Sequence, residues 1–333
     1  MRNFSFDPES TNDPTTGEKA FAGKDRYSMS GRVEKFIFLA ISILISIIGM
    51  YIQNPECMNG SSPVGNWKFA QFVLSFQQWG FFKRGAIGTL MQTFHIEAGT
   101  SSVFVVSGFI LFAFIYSCMT YVFSKKDLLS KNFHLLCLLI LLSPAIFLQA
   151  GYDLGRYDYI NYVIFFLSLY FARHDNIKIC GLLSALAIVF IHESYMFFWL
   201  PIIICYFITP DRNLWPEVLL FIVIPSLIAL MVIIRFGGLD DQAIGIIHNQ
   251  YPFLGMGSTP SSPLYVWKSN LIQNLKFTLH HWWSAKQVIR FFIGTTYPIF
   301  LFLFLKKIYQ ANLLKVDLFL LSPFFCIPLF FVG

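Results

Sequence analysis

The sequence predicts an all-α, polytopic integral membrane protein, and three observations carry that prediction. Of 333 residues, 56% are hydrophobic and only 13% are charged, against roughly 25% charged in an ordinary soluble domain. Phenylalanine alone supplies 39 residues. Several apolar runs approach the roughly 20 residues needed to cross a hydrocarbon core. No internal repeat and no second domain interrupts the pattern.

Taken in order, residues 1–32 are polar, mixed in charge and rich in Ser, Thr, Pro and Gly, which reads as a disordered cytoplasmic tail. They lack the basic start, apolar middle and cleavage site of a signal peptide. Residues 33–333 read as a single multi-span membrane domain of about nine spans, at 34–53, 102–123, 133–150, 158–172, 179–192, 195–208, 217–235, 290–305 and 316–332. Residues 179–208 read as two short helices, with one long tilted helix as the alternative. Two long connections, 54–101 and 236–289, interrupt the spans. The short connections "SKKDLLSKN", "ARHDNIK", "TPDRNLWPE" and "KKIYQANLLK" all carry Lys or Arg, so the positive-inside rule puts them and the tail in the cytoplasm. The connections 54–101, 151–157, 193–194 and 236–289 then share the outer face.

The net charge of +6 is spread among these short connections, which excludes nucleic acid as a partner. All six cysteines except Cys57 lie in apolar runs and no Cys/His spacing suggests a metal site. Neither a metal nor a cofactor is expected.

The outer connections hold the polar residues that an apolar chain least needs. In the first, Phe69, Phe72, Val73, Phe76 and Trp79 recur at helical spacing, as in a helix lying in the interface plane. "FFKRGAIGTL" follows, with Lys83 and Arg84 beside Gly85 and Gly88, where backbone can approach a ligand closely; anchoring at the headgroup level is the alternative for both cations. "GYDLGRYDYINY" places Asp153, Arg156 and Asp158 at the start of a span. Arg156 could pair with either aspartate and Asp158 could favour the helix dipole, but ionisable groups at membrane depth tend to mark function, and arginine matches phosphate with a rigid fork of donors. "AIVFIHESYMFFWLP" sets His192 and Glu193 inside an apolar stretch. His192 titrates near neutrality and is the general-base candidate, against the alternative of a polar hairpin tip. The last connection holds His248, Asp240, Asp241, Lys268, a turn-rich "GMGSTPSSP" and His280–His281; its segment "YVWKSNLIQNLKF" suggests an ordered helix able to cover a site.

"FFKRGAIGTL", "LGRYDYI" and "HESYMFFWLP", in this order across most of the chain, resemble the bacterial inner-membrane proteins of surface-polysaccharide clusters, including O-antigen polymerases. The resemblance implies a fold similar to integral-membrane glycosyltransferases and an undecaprenyl-pyrophosphate-linked sugar as substrate. It implies that Arg84 and Arg156, supported by Lys83, Asp153 and Lys268, bind the donor, and that His192 or His248, with Glu193 and Asp158, serves catalysis. Partners would be the lipid-linked oligosaccharide, membrane lipids and other polysaccharide-assembly proteins. The chain ends at "IPLFFVG", short for such proteins, which leaves open a missing carboxyl-terminal portion. A transporter or flippase of the same pathway is the alternative; it would show midplane charges, broken helices and repeats.

Overall fold

The computed structural model describes residues 15–53, 66–124, 126, 133–209, 212–255, 263–269, 272–274 and 276. The runs 290–305 and 316–332, the connection "KKIYQANLLK", Cys57, Cys326 and His280–His281 lie outside the described residues.

Helix α1 spans Thr15–Gln53. It overlaps the segment 1–32 that the sequence reads as a disordered tail. Glu18, Lys19, Ala20, Ala22, Lys24 and Met29 in this segment are good helix formers. Among the described residues, four helices are long and apolar enough to cross a membrane: Gly31–Gln53, Thr100–Phe123 (α5), Phe133–Tyr152 and Trp215–Phe236. The third is composite, with α6 (Phe133–Leu142), a π-helical turn (Pro144–Leu148) and α7 (Gln149–Tyr152).

The remaining expected spans are shorter. Helix α8 is Asp158–Arg173, 16 residues. Helix α9 (Ile177–Leu186) runs on as a π-helical turn, Ala187–Ile191. At 1.5 Å per residue, each is about 22–24 Å long, short of the ~30 Å hydrocarbon core. His192 is extended (φ −163°, ψ 128°) and breaks the run. The chain then turns back along α8 through α10 (Ser194–Phe198) and α11 (Leu200–Phe207), with Trp199 packed on Tyr162 and Phe165. Residues 177–207 thus form two short segments, not one long helix. A two-residue antiparallel ladder, β1 (Ile208–Thr209) with β2 (Arg212–Asn213), leads to α12 (Trp215–Val218), a π-helical turn (Leu219–Val223) and α13 (Ile224–Phe236).

Small residues set how closely these helices approach. A methyl on Gly151 would meet the Ser46 carbonyl oxygen at 1.7 Å, and one on Gly181 would meet that of Phe221 at 1.7 Å. Without a hydrophobic drive between helices in lipid, close van der Waals packing of this kind holds them together. The resulting core centres on Phe114, Phe147, Tyr162, Phe165 and Trp199.

Two ends emerge from the contacts. At one, Lys126 pairs with Glu34 and Arg173 donates to Ser124. At the other, the described parts of the connections 54–101, 151–157, 193–194 and 236–289 meet. There, α2 (Asn66–Val73), α3 (Phe76–Trp79), α4 (Ala86–Thr93), α14 (Asp241–Gln250), a 3-10 turn (Pro252–Leu254) and α15 (Tyr265–Lys268) form a cover with its own apolar core. The single interfacial helix expected from the spacing of Phe69 to Trp79 is two helices. Ser75 interrupts it by capping α3, accepting from the Gln78 N–H. Its apolar face, Phe69, Phe72 and Val73, is buried against protein, with Phe72 edge-on to Tyr157 at 5.7 Å.

Candidate functional site

Beneath the cover, ionisable side chains at three of the four connections form one continuous chain of contacts. It starts at Lys68, whose Nζ lies 3.3 Å from Asp153 Oδ1. Asp153 Oδ2 accepts from Gln149 at 2.7 Å and from Arg156 Nη1 at 3.4 Å. Arg156 Nε donates to Asp158 Oδ2 at 2.8 Å. Asp158 Oδ1 faces His192 Nε2 at 3.8 Å and accepts from Ser194 Oγ at 3.4 Å. His192 Nδ1 lies 3.7 Å from Glu193 Oε2, and Arg84 closes the chain with a two-pronged bond to Glu193, Nε to Oε2 at 3.1 Å and Nη2 to Oε1 at 2.6 Å.

Local sequence explains each placement. Asp158 occupies the first turn of α8, where the positive end of the helix dipole favours a carboxylate. Asn161, three residues on, shares its buried face and donates to the His192 carbonyl at 3.2 Å, as i,i+3 neighbours do. The π-helical turn before His192 is closed by its N–H to the Ala187 carbonyl at 2.9 Å, and releases the chain so that His192 and Glu193 both face inward. Arg84 adopts a left-handed backbone (φ 64°), a conformation that costs a non-glycine residue on the order of 1–3 kcal/mol. Two contacts hold it there: the Lys83 N–H bonded to the Gly237 carbonyl, and the ion pair to Glu193.

The electrostatics follow from burial. Removal from water would raise the Glu193 carboxyl, but Arg84, His192 and Lys83 together outweigh it and hold Glu193 well below the ordinary carboxylate range. Lys83 is 1% exposed, and its ammonium donates to the Ser269 carbonyl at 2.7 Å. Desolvation is the main cause that lowers it to about 7, with Arg84 adding and Glu193 opposing. Burial also lowers Lys68, and Asp153 partly offsets the effect.

Of the residues singled out from sequence, Arg84, Asp153, Arg156, Asp158, His192 and Glu193 share this chain of contacts, and Lys83 lies beside it. Two do not join it among the described residues. Lys268 pairs at the surface with Asp241, 2.6 Å away, because its helix turns Trp267 and not Lys268 inward. His248 sits on α14 with a buried Nδ1 that has no hydrogen-bond partner among the described residues. Gly85 and Gly88 serve packing within the protein, in place of an approach to ligand. A methyl on Gly88 would meet the Leu74 carbonyl oxygen at 1.9 Å, and one on Gly85 would meet the Phe76 ring at 2.4 Å. The sequence reading passed over Lys68, Gln149, Asn161 and Ser194. Asn161 carried a usable signal, a polar residue on the same helical face as Asp158.

The carboxylates of the arrangement are satisfied internally, while the buried Asn161 Oδ1 has no hydrogen-bond partner among the described residues. Glu193 spends both oxygens on Arg84. His192 Nδ1 accepts from the Ser194 N–H at 3.1 Å, which leaves Nε2 for the proton, pointed at Asp158. No group of three or more metal-ligating side chains stands together among the described residues. No family model, no curated protein and no solved structure matches the chain.

Proposed function

We propose that the protein is a membrane glycan transferase or polymerase of surface-polysaccharide biosynthesis. It acts on undecaprenyl-pyrophosphate-linked sugars at the outer face of the bacterial inner membrane, with its N-terminus in the cytoplasm. The observation that carries the reading is the convergence of Arg84 and Arg156 with Asp158, His192 and Glu193 in one largely buried cluster where the cover meets the apolar helices. Glycosyl transfer from such a donor needs cations for the departing diphosphate, a base for the acceptor hydroxyl and an approach from lipid.

In this proposal substrate and base are coupled. Diphosphate oxygens replace Glu193 on the Arg84 fork, a bidentate match that arginine makes well. The freed Glu193 loses the cation that held its acidity high and becomes a better proton acceptor. The acceptor oxygen bonds to the anomeric carbon, its proton passes to the carboxylate, and the bond to the diphosphate breaks. His192 steers between Asp158 and Glu193.

Deletion followed by gel analysis of surface polysaccharide tests the reading. Loss of long chains with retention of single-repeat glycan is the expected result. Unchanged glycan refutes it. Arg84→Lys and Arg156→Lys should each impair chain growth, since lysine keeps the charge and loses the fork; full activity in both makes these arginines structural.

The transporter reading has one observation in its favour. Three of the apolar helices carry π-helical turns, at Pro144–Leu148, Ala187–Ile191 and Leu219–Val223, and such interruptions frequently mark functional sites. Loss of both single-repeat and long-chain glycan on deletion would favour it.

A further inference from the structure

A second concavity opens in the cover, separate from the ionic chain. It encloses about 550 Å³, within the roughly 300–1,000 Å³ of small-molecule sites. Its polar lining comes from Gln78, Gln92, His95 and Glu97 of the first connection and from Tyr251 of the last. No lysine or arginine lines it among the described residues, so it is ill suited to phosphate.

The lining chemistry points elsewhere. A carboxamide offers a donor pair and an acceptor in one plane, and a carboxylate offers two acceptors; vicinal hydroxyls, each both donor and acceptor, complement such groups. The Tyr251 ring adds a face for the C–H surface of a pyranose. Gln92 is oriented by its hydrogen bond with Ser75, which leaves the amide nitrogen to a ligand. The rim is preformed: His95 has a left-handed backbone (φ 55°), fixed by its N–H to the Gln92 carbonyl at 3.0 Å and by the Ile96 N–H to the Met91 carbonyl at 2.8 Å.

One aromatic contact links the cleft wall to the turn that carries part of the ionic chain. Phe72 lines its wall and packs edge-on to Tyr157 at 5.7 Å, and Tyr157 stands between Arg156 and Asp158 in sequence. We propose that this cleft is a saccharide-binding site that seats a neutral sugar of the glycan while the ionic chain handles the diphosphate end. The role given to that sugar rests on the transferase reading; the binding itself does not.

The test uses the full chain in lipid nanodiscs, because detergents with sugar headgroups would compete. Free glucose, galactose, mannose, rhamnose and N-acetylglucosamine are presented one at a time, and binding is read by saturation-transfer NMR. At least one sugar should show transfer. Gln78→Ala and Glu97→Ala, both exposed positions, should each weaken that binding about fivefold, the worth of one hydrogen bond, at an unchanged thermal midpoint. Absence of transfer from every sugar, or undiminished transfer in the double variant, overturns the site. Normal glycan in the deletion strain together with cleft-dependent sugar binding overturns the transferase reading and keeps the site. Truncated glycan with undiminished binding in the double variant does the reverse.

Discussion

The core around Phe114, Tyr162 and Trp199 and the core around Phe72, Tyr157 and Trp267 both bury large aromatic side chains, yet they hold the chain together differently. In the first, polar groups look after themselves. Ser42, Ser168 and Ser184 donate to carbonyls four residues back in their own helices, as a medium without water requires. Between helices there is mainly shape. In the cover, helices of four to ten residues cannot stand alone, so hydrogen bonds run between segments distant in sequence. The Trp267 indole donates to the Lys83 carbonyl, the Leu239 N–H to the Trp267 carbonyl, and the Tyr157 hydroxyl to the Gln71 carbonyl. The lesson concerns the ionic site, which draws on both constructions: Asp153, Arg156, Asp158, His192 and Glu193 belong to the helical body and its turn, while Lys68 and Arg84 arrive with the cover.

The largest test of that division is the Arg84–Glu193 pair, which links the two. Removing one partner of a buried pair typically costs about 3–5 kcal/mol, because the other charge is left uncompensated. Arg84→Met alone should therefore lower the thermal midpoint strongly, and Arg84→Met with Glu193→Met should restore most of it. A double variant that is stable but fails to extend glycan would assign the pair to chemistry. A double variant that remains unstable would show that the cover does not rely on this pair as described.

A smaller effect compares two glycines. Gly151→Ala and Gly88→Ala each press a methyl on backbone oxygen, and overpacking of this kind costs about 1–3 kcal/mol. Hydrogen exchange should separate them. Gly88→Ala should speed exchange in 66–93 and leave α5 protected, whereas Gly151→Ala should loosen the seam between α1 and α7. Identical exchange patterns would mean that the cover and the helical body open as one unit.

The smallest effect is a pH slope from Lys83. In the unfolded chain its amine holds a proton up to about 10.5, but in the folded cover only to about 7. Between these values the unfolded state binds more protons, so stability rises with pH, by up to about 1.4 kcal/mol per unit. Lys83→Met should flatten that slope between pH 7.5 and 9.5. A slope unchanged by the substitution would show that the Lys83 ammonium stays charged in place.

The apolar helices were legible in sequence because lipid imposes a length and a composition on each run separately. The gathering of "FFKRG", "GRYD" and "HES" was legible through span parity alone, with no knowledge of side-chain direction. What sequence could not express was mutual satisfaction. That Arg84 uses its fork on Glu193, 109 residues away, depends on how the cover docks. Gly88 looked free for a ligand because nothing local reveals that the Leu74 carbonyl lies against it. Lys68 was hidden for the same reason: its partner Asp153 belongs to another connection.

The brevity of α8 and of the 177–191 helix has a consequence for the surrounding lipid. Both present apolar side chains outward, among them Leu167, Tyr170, Leu182 and Leu186, yet each falls about 6–8 Å short of an average hydrocarbon thickness. Acyl chains beside this flank must compress or disorder to meet it, at a cost of fractions of a kcal/mol per Å of mismatch. The headgroup plane would then dip toward Arg156, which is more exposed than Arg84 in the ionic chain. Long, saturated acyl chains would resist that dip. On the proposed transferase reading, membrane thickness would then control how readily a lipid-borne anion reaches the site.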